Sequence, residues 1–335
     1  MTLSQKISSK LAGKIKYLFR DLCHGLGFYK NFYRSARGSR ILLYHGICEH
    51  DHLKFNTLFL TRKTFESHLK FYKKHFNVLS LDDYYQQKLS NTRFNVCLTF
   101  DDGFANNHKY VLPLLEQYEI PATFFITAIQ VAGYDILWND FLSIAGKYGP
   151  AKFNFKGEAY IKDRYNKYLS TDNGISLAEK LRFSGFDKKV EMMKALYPLA
   201  PFKTKKQDED YWLQMTTRQI RELSASPFVT IGAHGYYHND LAKINIRETA
   251  EELALTKQYL ENIIERPVNS FAFPYGSYNN AVMEAAKKAG YEKLLATEFV
   301  SAEDHDDNAM RERLTVNPFI SVNNQMYATI TGSYE

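Results

Sequence analysis

The sequence predicts an α/β fold: a (β/α) barrel of about seven strands, preceded by a helical leader and interrupted by a helical insertion. Three observations predict it. Short apolar runs alternate with helical periodicities along most of the chain, the pattern of parallel strands with helices outside them. Such runs number about seven or eight, which favours a barrel over an open sheet. Several of them stop at ionisable residues, at His45, at Asp101-Asp102 and at His234. The carboxyl ends of such strands share one rim, where α/β folds keep their sites.

Residues 1–38 form the leader. Leu3, Ile7, Leu11, Ile15 and Leu18 recur at helical spacing among Lys6, Lys10, Lys14, Lys16 and Arg20. A basic amphipathic helix of this kind can lie on an anionic membrane through residues 3–20, or pack its stripe on the domain, and both remain open. The barrel is expected over 39–330. Residues 40–45 read as its first strand, 61–75 as a helix, 77–81 as a short strand, and Leu81-Asp82-Asp83-Tyr84 as the start of a short helix. The run 94–100 is the central strand, followed by a helix near 107–118 and a strand that Pro121 can only begin.

The alternation breaks over 133–215, rich in Lys, Tyr and Phe, with short helical patterns at 177–182, 188–196 and 209–215. This stretch reads as a mainly helical insertion near the site, not an independent domain. The alternation then resumes: helix 217–225, strand 228–232, helix 245–265, strand 269–273, helix 279–289, strand 293–297 and a last strand over 314–320.

A chain of 335 residues, 45% hydrophobic, can bury one large α/β core with an insertion. A net charge of +6 is only mildly basic, and no clustered arginine and aromatic pattern of a nucleic-acid module is visible. Cys23, Cys48 and Cys97 form neither a disulfide framework nor a CxxC knuckle, which favours a reducing compartment. No run of 18 apolar residues or secretory-type apolar core is found. A cytoplasmic location is expected, with room for a peripheral place on the inner face of a membrane.

The chemistry concentrates in two places. Asp101 and Asp102 repel each other, so burying both needs a cation; the plainer reading is an Asp-Asp-Gly surface turn. His234 and His238 are spaced i, i+4, which on a helical turn sets two imidazoles side by side. A mixed nitrogen and carboxylate set suits a divalent transition metal. Trp138, where the insertion begins, reads first as a core side chain, with a flat face for a sugar as the other reading.

Thr99-Phe100-Asp101-Asp102-Gly103, His234-Gly235-Tyr236-Tyr237-His238 and Phe273-Pro274-Tyr275-Gly276 occur in the order found in polysaccharide deacetylases, the NodB-homology carbohydrate esterases, and Pro121-Ala122-Thr123-Phe124-Phe125 resembles the strand after the first motif there. The resemblance covers about 39–320 and implies a distorted barrel holding a divalent metal, zinc first, with nickel, cobalt or iron as alternatives. It matches Asp102, His234 and His238 to the metal ligands and Asp101 to the general base. It matches Tyr275 to the backbone N–H at the oxyanion, with Pro274 and Tyr275 beside the substrate. Two positions depart from the pattern. Many members carry Arg where this chain has Ala272, so Arg311 or Arg313 is expected to steer Asp101. No late Leu-x-His motif supplies a general acid, but Leu43-Tyr44-His45-Gly46-Ile47 resembles the early Tyr-His motif of the subgroup acting on exopolysaccharide, which makes His45 the expected acid.

The expected activity is metal-dependent removal of an acetyl group from an N-acetylated amino sugar in a glycan or lipid-linked glycan. The partner is a carbohydrate, not nucleic acid. Two alternatives stand beside it: a barrel that binds glycan without catalysis, and the same chemistry on an O-acetyl ester or a non-sugar amide.

Overall fold

The computed structural model describes residues 3–55 and 57–334, with the backbone alone over 3–12. Eight strands wind around a sheet: β1 (Ser39–Tyr44), β2 (Asn95–Phe100), β3 (Ala122–Ile126), β4 (Val229–Ala233), β5 (Ser270–Ala272), β6 (Lys293–Ala296), β7 (Met310–Glu312) and β8 (Leu314–Thr315). Their spatial order is β7-β6-β5-β4-β3-β2-β1-β8, all parallel, and Asn77–Val78 adds a ninth strand beside β2. The two edges of this path, β7 and β8, are consecutive in the chain and separated by Arg313 alone. One short segment therefore nearly closes the distorted barrel, pairing first with β6 and then with β1.

Alternation along the strands sorts the side chains. Tyr44, Phe100 and Phe124 stand in register on β1, β2 and β3, face the surrounding helices, and stack with ring centroids 5.1 and 4.9 Å apart. Ile41, Cys97, Phe125, Ala272 and Leu295 form a separate small cluster inside the barrel. Steps of two residues along this inner face lead from Ile41 to His45 and from Cys97 to Asp101. The rim residues are thus aimed inward by the same period that fills the core.

The stretch 133–215, expected to be mainly helical, holds the helices Trp138–Tyr148, Leu177–Arg182 and Phe186–Leu196 and also a three-stranded antiparallel sheet, Lys152–Phe155, Glu158–Lys162 and Tyr168–Ser170. These elements share an apolar cluster of their own around Trp138, Phe141, Met192 and Phe202. The expected helix at 209–215 is instead a tight 3-10 turn, Lys206–Tyr211. The expected last strand shortens to β8, and helix Val322–Thr331 follows it.

The leader helix is Leu3–Gly25. The side chains of Leu3, Ile7 and Leu11 and of Lys6 and Lys10 lie outside the described residues. Ile15 and Leu18 are 59% and 69% exposed, so this part of the stripe is not packed on the barrel.

Thr61 caps helix Arg62–His75 by accepting from Thr64 N–H, and the helix buries Phe65, His68, Leu69 and Tyr72 against the sheet. His68 Nδ1 lies 3.1 Å from Tyr44 Oη, which in turn is 2.6 Å from Tyr72 Oη. Burial pushes the His68 imidazole down from 6.5 to about 3. The folded chain keeps the ring neutral while the unfolded chain protonates it below about pH 6.5, so this contribution to stability is lost as pH falls. Between pH 7 and pH 5 His68 is expected to cost about 2 kcal/mol. His68→Gln should lose about that much less between the same two values in urea titrations; an unchanged difference would count against the assignment.

Candidate active site

The turn after β2 begins the site. Gly103 has φ +82°, and a Cβ there would stand 2.9 Å from Ile126 Cγ2, so glycine alone fits. Asp102 (φ +76°), His238 (φ +55°) and Tyr275 (φ +61°) also occupy the left-handed region, where a side chain costs energy. His234 and His238 lie on no helical turn; the strand before them ends in a short loop. This loop is bent at Gly235 (φ +80°) and at His238, and both imidazoles face Asp102.

Asp102 Oδ1 lies 3.4 Å from His234 Nε2 and 3.2 Å from His238 Nε2, and all three side chains are buried. Ligands about 2.1 Å from one ion and set tetrahedrally stand about 3.4 Å from each other. His234 Nδ1 is 2.8 Å from the Ala272 carbonyl, which can only accept, so Nδ1 carries a proton and Nε2 is the nitrogen left to face Asp102 or to ligate an ion. His238 Nδ1, Asp140 Oδ2 and Tyr275 Oη are buried without a hydrogen-bond partner. The donor set and its spacing fit a divalent metal.

Asp101 stands beside this trio but is held elsewhere. Arg313 grips it with both arms, Nη1 to Oδ1 at 2.7 Å and Nη2 to Oδ2 at 2.8 Å, and reaches Thr99 Oγ1 at 3.3 Å. Burial raises the Asp101 carboxyl, but Arg313 and then His234 more than offset it, leaving it below its usual value. Of the two arginines considered for this task, Arg311 donates instead to backbone carbonyls and lies over Tyr85. Burial raises Asp102 too, yet hydrogen bonds from His234 and His238 bring it well below the carboxylate range.

His45 follows β1, level with Asp101, whose N–H donates to Tyr44 O at 3.0 Å. Burial pushes its imidazole below the usual value, against the pull of Asp102 and Asp101. Pro274 is buried in the turn Pro274–Gly276, and the Tyr275 ring lies 4.7 Å from that of His238.

Trp138 is 2% exposed, too little for a sugar to stack on, so the substrate-facing role expected for it gives way to a different one. Its Nε1 donates to His238 O at 3.0 Å. Lys189 Nζ donates to Asn239 Oδ1, and Arg182 Nε donates to Asp240 Oδ2 at 2.6 Å. Three consecutive residues beginning at His238 are therefore each held by a side chain of the 133–215 stretch. Sequence patterns gave no sign of this, because a lysine and an arginine on short helices read as solvated. Asp140 was missed as well. Burial, with the charge of Asp102 adding to it, holds its carboxyl well above the usual range.

A profile of the family described as Polysaccharide deacetylase matches residues 88–151 and 194–294. YxkH of Bacillus subtilis (strain 168), named after the same family, is 20% identical over 285 residues, 84% of this chain and 72% of its own. The Streptococcus pyogenes deacetylase PplD, solved in complex with acetate, is similar in fold at 18% identity and a TM-score of 0.55, over 87% of this chain and 97% of its own. A de-N-acetylase from Aggregatibacter actinomycetemcomitans is similar at 16% identity and a TM-score of 0.50, over 85% of this chain and 95% of its own. The chain belongs to the polysaccharide deacetylase family, whose members are hydrolases of acetylated glycans.

Two outcomes test the geometry. Arg313→Met should free Asp101 to rise, cutting kcat at pH 7 about 100-fold and moving the acid limb of the pH profile upward. Adding Ala272→Arg should bring part of it back; an unmoved profile would deny the pairing its importance. Trp138→Phe keeps the ring and drops the bond to His238 O, so metal affinity should fall about tenfold in a chelator competition. Unchanged affinity would show that the loop holds itself.

Proposed function

We propose that the chain is a metal-dependent N-deacetylase acting on an N-acetylated amino sugar within a glycan or a lipid-linked glycan. The observation that carries this reading is the division of labour between neighbouring carboxylates. Asp102 faces two imidazoles at metal-ligand spacing, and Asp101 beside it is tied to Arg313.

Asp102 Oδ1, His234 Nε2 and His238 Nε2 would hold the ion, and the nitrogen-rich set favours zinc, with nickel, cobalt or iron as alternatives. When bound, the ion supplies Lewis acidity and lowers the pKa of an attacking water. Asp101 takes the proton of that water. Its carboxylate offers about four lone-pair sites, and Arg313 uses two of them. The arginine also keeps Asp101 ionised in mildly acidic solution, ready as a base. Tyr275 offers its backbone N–H to the developing oxyanion, and Pro274 shapes the turn that presents it.

An amide leaves as an amine and needs a proton, a demand weaker for an ester. His45 meets it. The burial that lowers its imidazole makes it a stronger acid once protonated, so it gives its proton up readily to the departing nitrogen. A dedicated acid on the rim is what favours the N-acetyl substrate over the O-acetyl one.

Asp102→Ala and His234→Ala are each expected to lose bound metal and acetate release together, while His45→Ala keeps its metal and loses most turnover. Metal analysis beside acetate release from N-acetylated and O-acetylated chito-oligosaccharides checks all three. Full metal content in Asp102→Ala, or near-normal turnover in His45→Ala, would reject the respective role.

A further inference from the structure

The leader helix rests on the barrel the unusual way round. Its inward contacts are largely polar, with the His24 ring set against those of Tyr33 and Phe71. Tyr17 Oη donates to Tyr334 O at 2.8 Å, and Arg20 Nη1 donates to Asn324 Oδ1 at 3.0 Å with its guanidinium 3.7 Å over the Tyr327 ring. Asp21 accepts from Ser321 Oγ at 2.6 Å, from Asn324 Nδ2 at 3.0 Å and from Asn323 Nδ2 at 3.2 Å. These bonds fix the rotation of the helix about its axis. The face left outward is apolar: Ile15, Leu18, Phe19, Leu22 and Leu26, joined by Phe28 in the turn beyond, are 59 to 73% exposed. The five recur at helical spacing, so they form one stripe rather than scattered side chains. Lys14 and Lys16, both exposed, flank it on either side.

The charge around the stripe is one-sided. Residues 1–40 carry nine lysines and arginines and a single acidic residue, Asp21, a surplus of eight where the whole chain has a surplus of six. Asp21 is occupied on the inward face. A second copy of this chain docked through the stripe would bring two basic flanks together with nothing acidic to meet them. An anionic lipid surface meets both features at once, taking the apolar side chains among its acyl chains and the lysines at its headgroups. Among the described residues no helix is long and apolar enough to cross a membrane, so this one lies along the surface.

We infer that the outward apolar face over residues 15–26 docks the enzyme on an anionic membrane surface, with the barrel held above it by the Tyr17, Arg20 and Asp21 contacts. This assignment stands apart from the metal site, and a catalytically dead chain would still bind.

The test is co-sedimentation of the full chain with vesicles of phosphatidylglycerol and phosphatidylcholine in equal parts, and of phosphatidylcholine alone. Binding is expected to the first, little to the second, and it should weaken with added salt. Leu18→Glu combined with Leu22→Glu should reduce binding at least tenfold, leaving circular dichroism and turnover of a soluble substrate unchanged. The inference is overturned if the wild-type chain ignores anionic vesicles or the double variant binds as well as wild type. It is equally overturned if the stripe proves to be a dimer contact, seen as a lipid-free dimer that the double variant splits and that does not bind vesicles.

Discussion

The site depends on how two adjacent buried carboxylates are kept from repelling each other. Arg313 neutralises Asp101 through two parallel hydrogen bonds, and Asp102 is left for the imidazoles. Taking such charges out of water costs several kcal/mol per ion, and only close, well-oriented pairing recovers it. The arginine that provides it stands between β7 and β8, the one residue by which the chain passes from one sheet edge to the other. Closing the barrel and placing the cation are therefore one structural event.

The strain gathered at the rim has a counterpart in the stretch over it. Asp102, His238 and Tyr275 adopt backbone angles that side chains avoid, and such angles persist where the surroundings over-determine them. For His238 the surroundings are visible. Trp138, Lys189 and Arg182 hold its carbonyl and the next two side chains, and Asn239 passes the grip on to Glu252, accepting from Asn239 Nδ2 at 2.6 Å. Lys189 is itself fully buried, and burial pulls its ammonium down to about 8. A buried lysine is an expensive fastening, which suggests that the position of the loop matters more than the energy spent on it.

Much of the barrel was legible because its strands are short, buried on both faces and bounded by charged or turn residues. The period of two explains why His45 and Asp101 point inward together, and the resemblance at Asp101-Asp102, His234 and His238 anticipated a trio that the fold does assemble. What was not legible depended on contacts between distant segments. The split of 310–315 into two edge strands follows from pairing on both sides, which six residues cannot announce. Arg313 and Arg311 look alike in sequence, and only the inner face of the barrel distinguishes them. Trp138 kept two readings open until its burial decided between them. The i, i+4 histidines pointed to two imidazoles side by side, and positive φ at Gly235 and His238 is what brings them together within a loop.

The most direct measurement is anomalous scattering, at the absorption edge of the bound metal, from crystals of the metal-loaded protein. The ion should lie about 2.0–2.2 Å from Asp102 Oδ1, His234 Nε2 and His238 Nε2, with Asp101 outside its coordination and still paired to Arg313. An ion placed elsewhere, or one ligated by Asp101 with Arg313 turned away, would contradict the account.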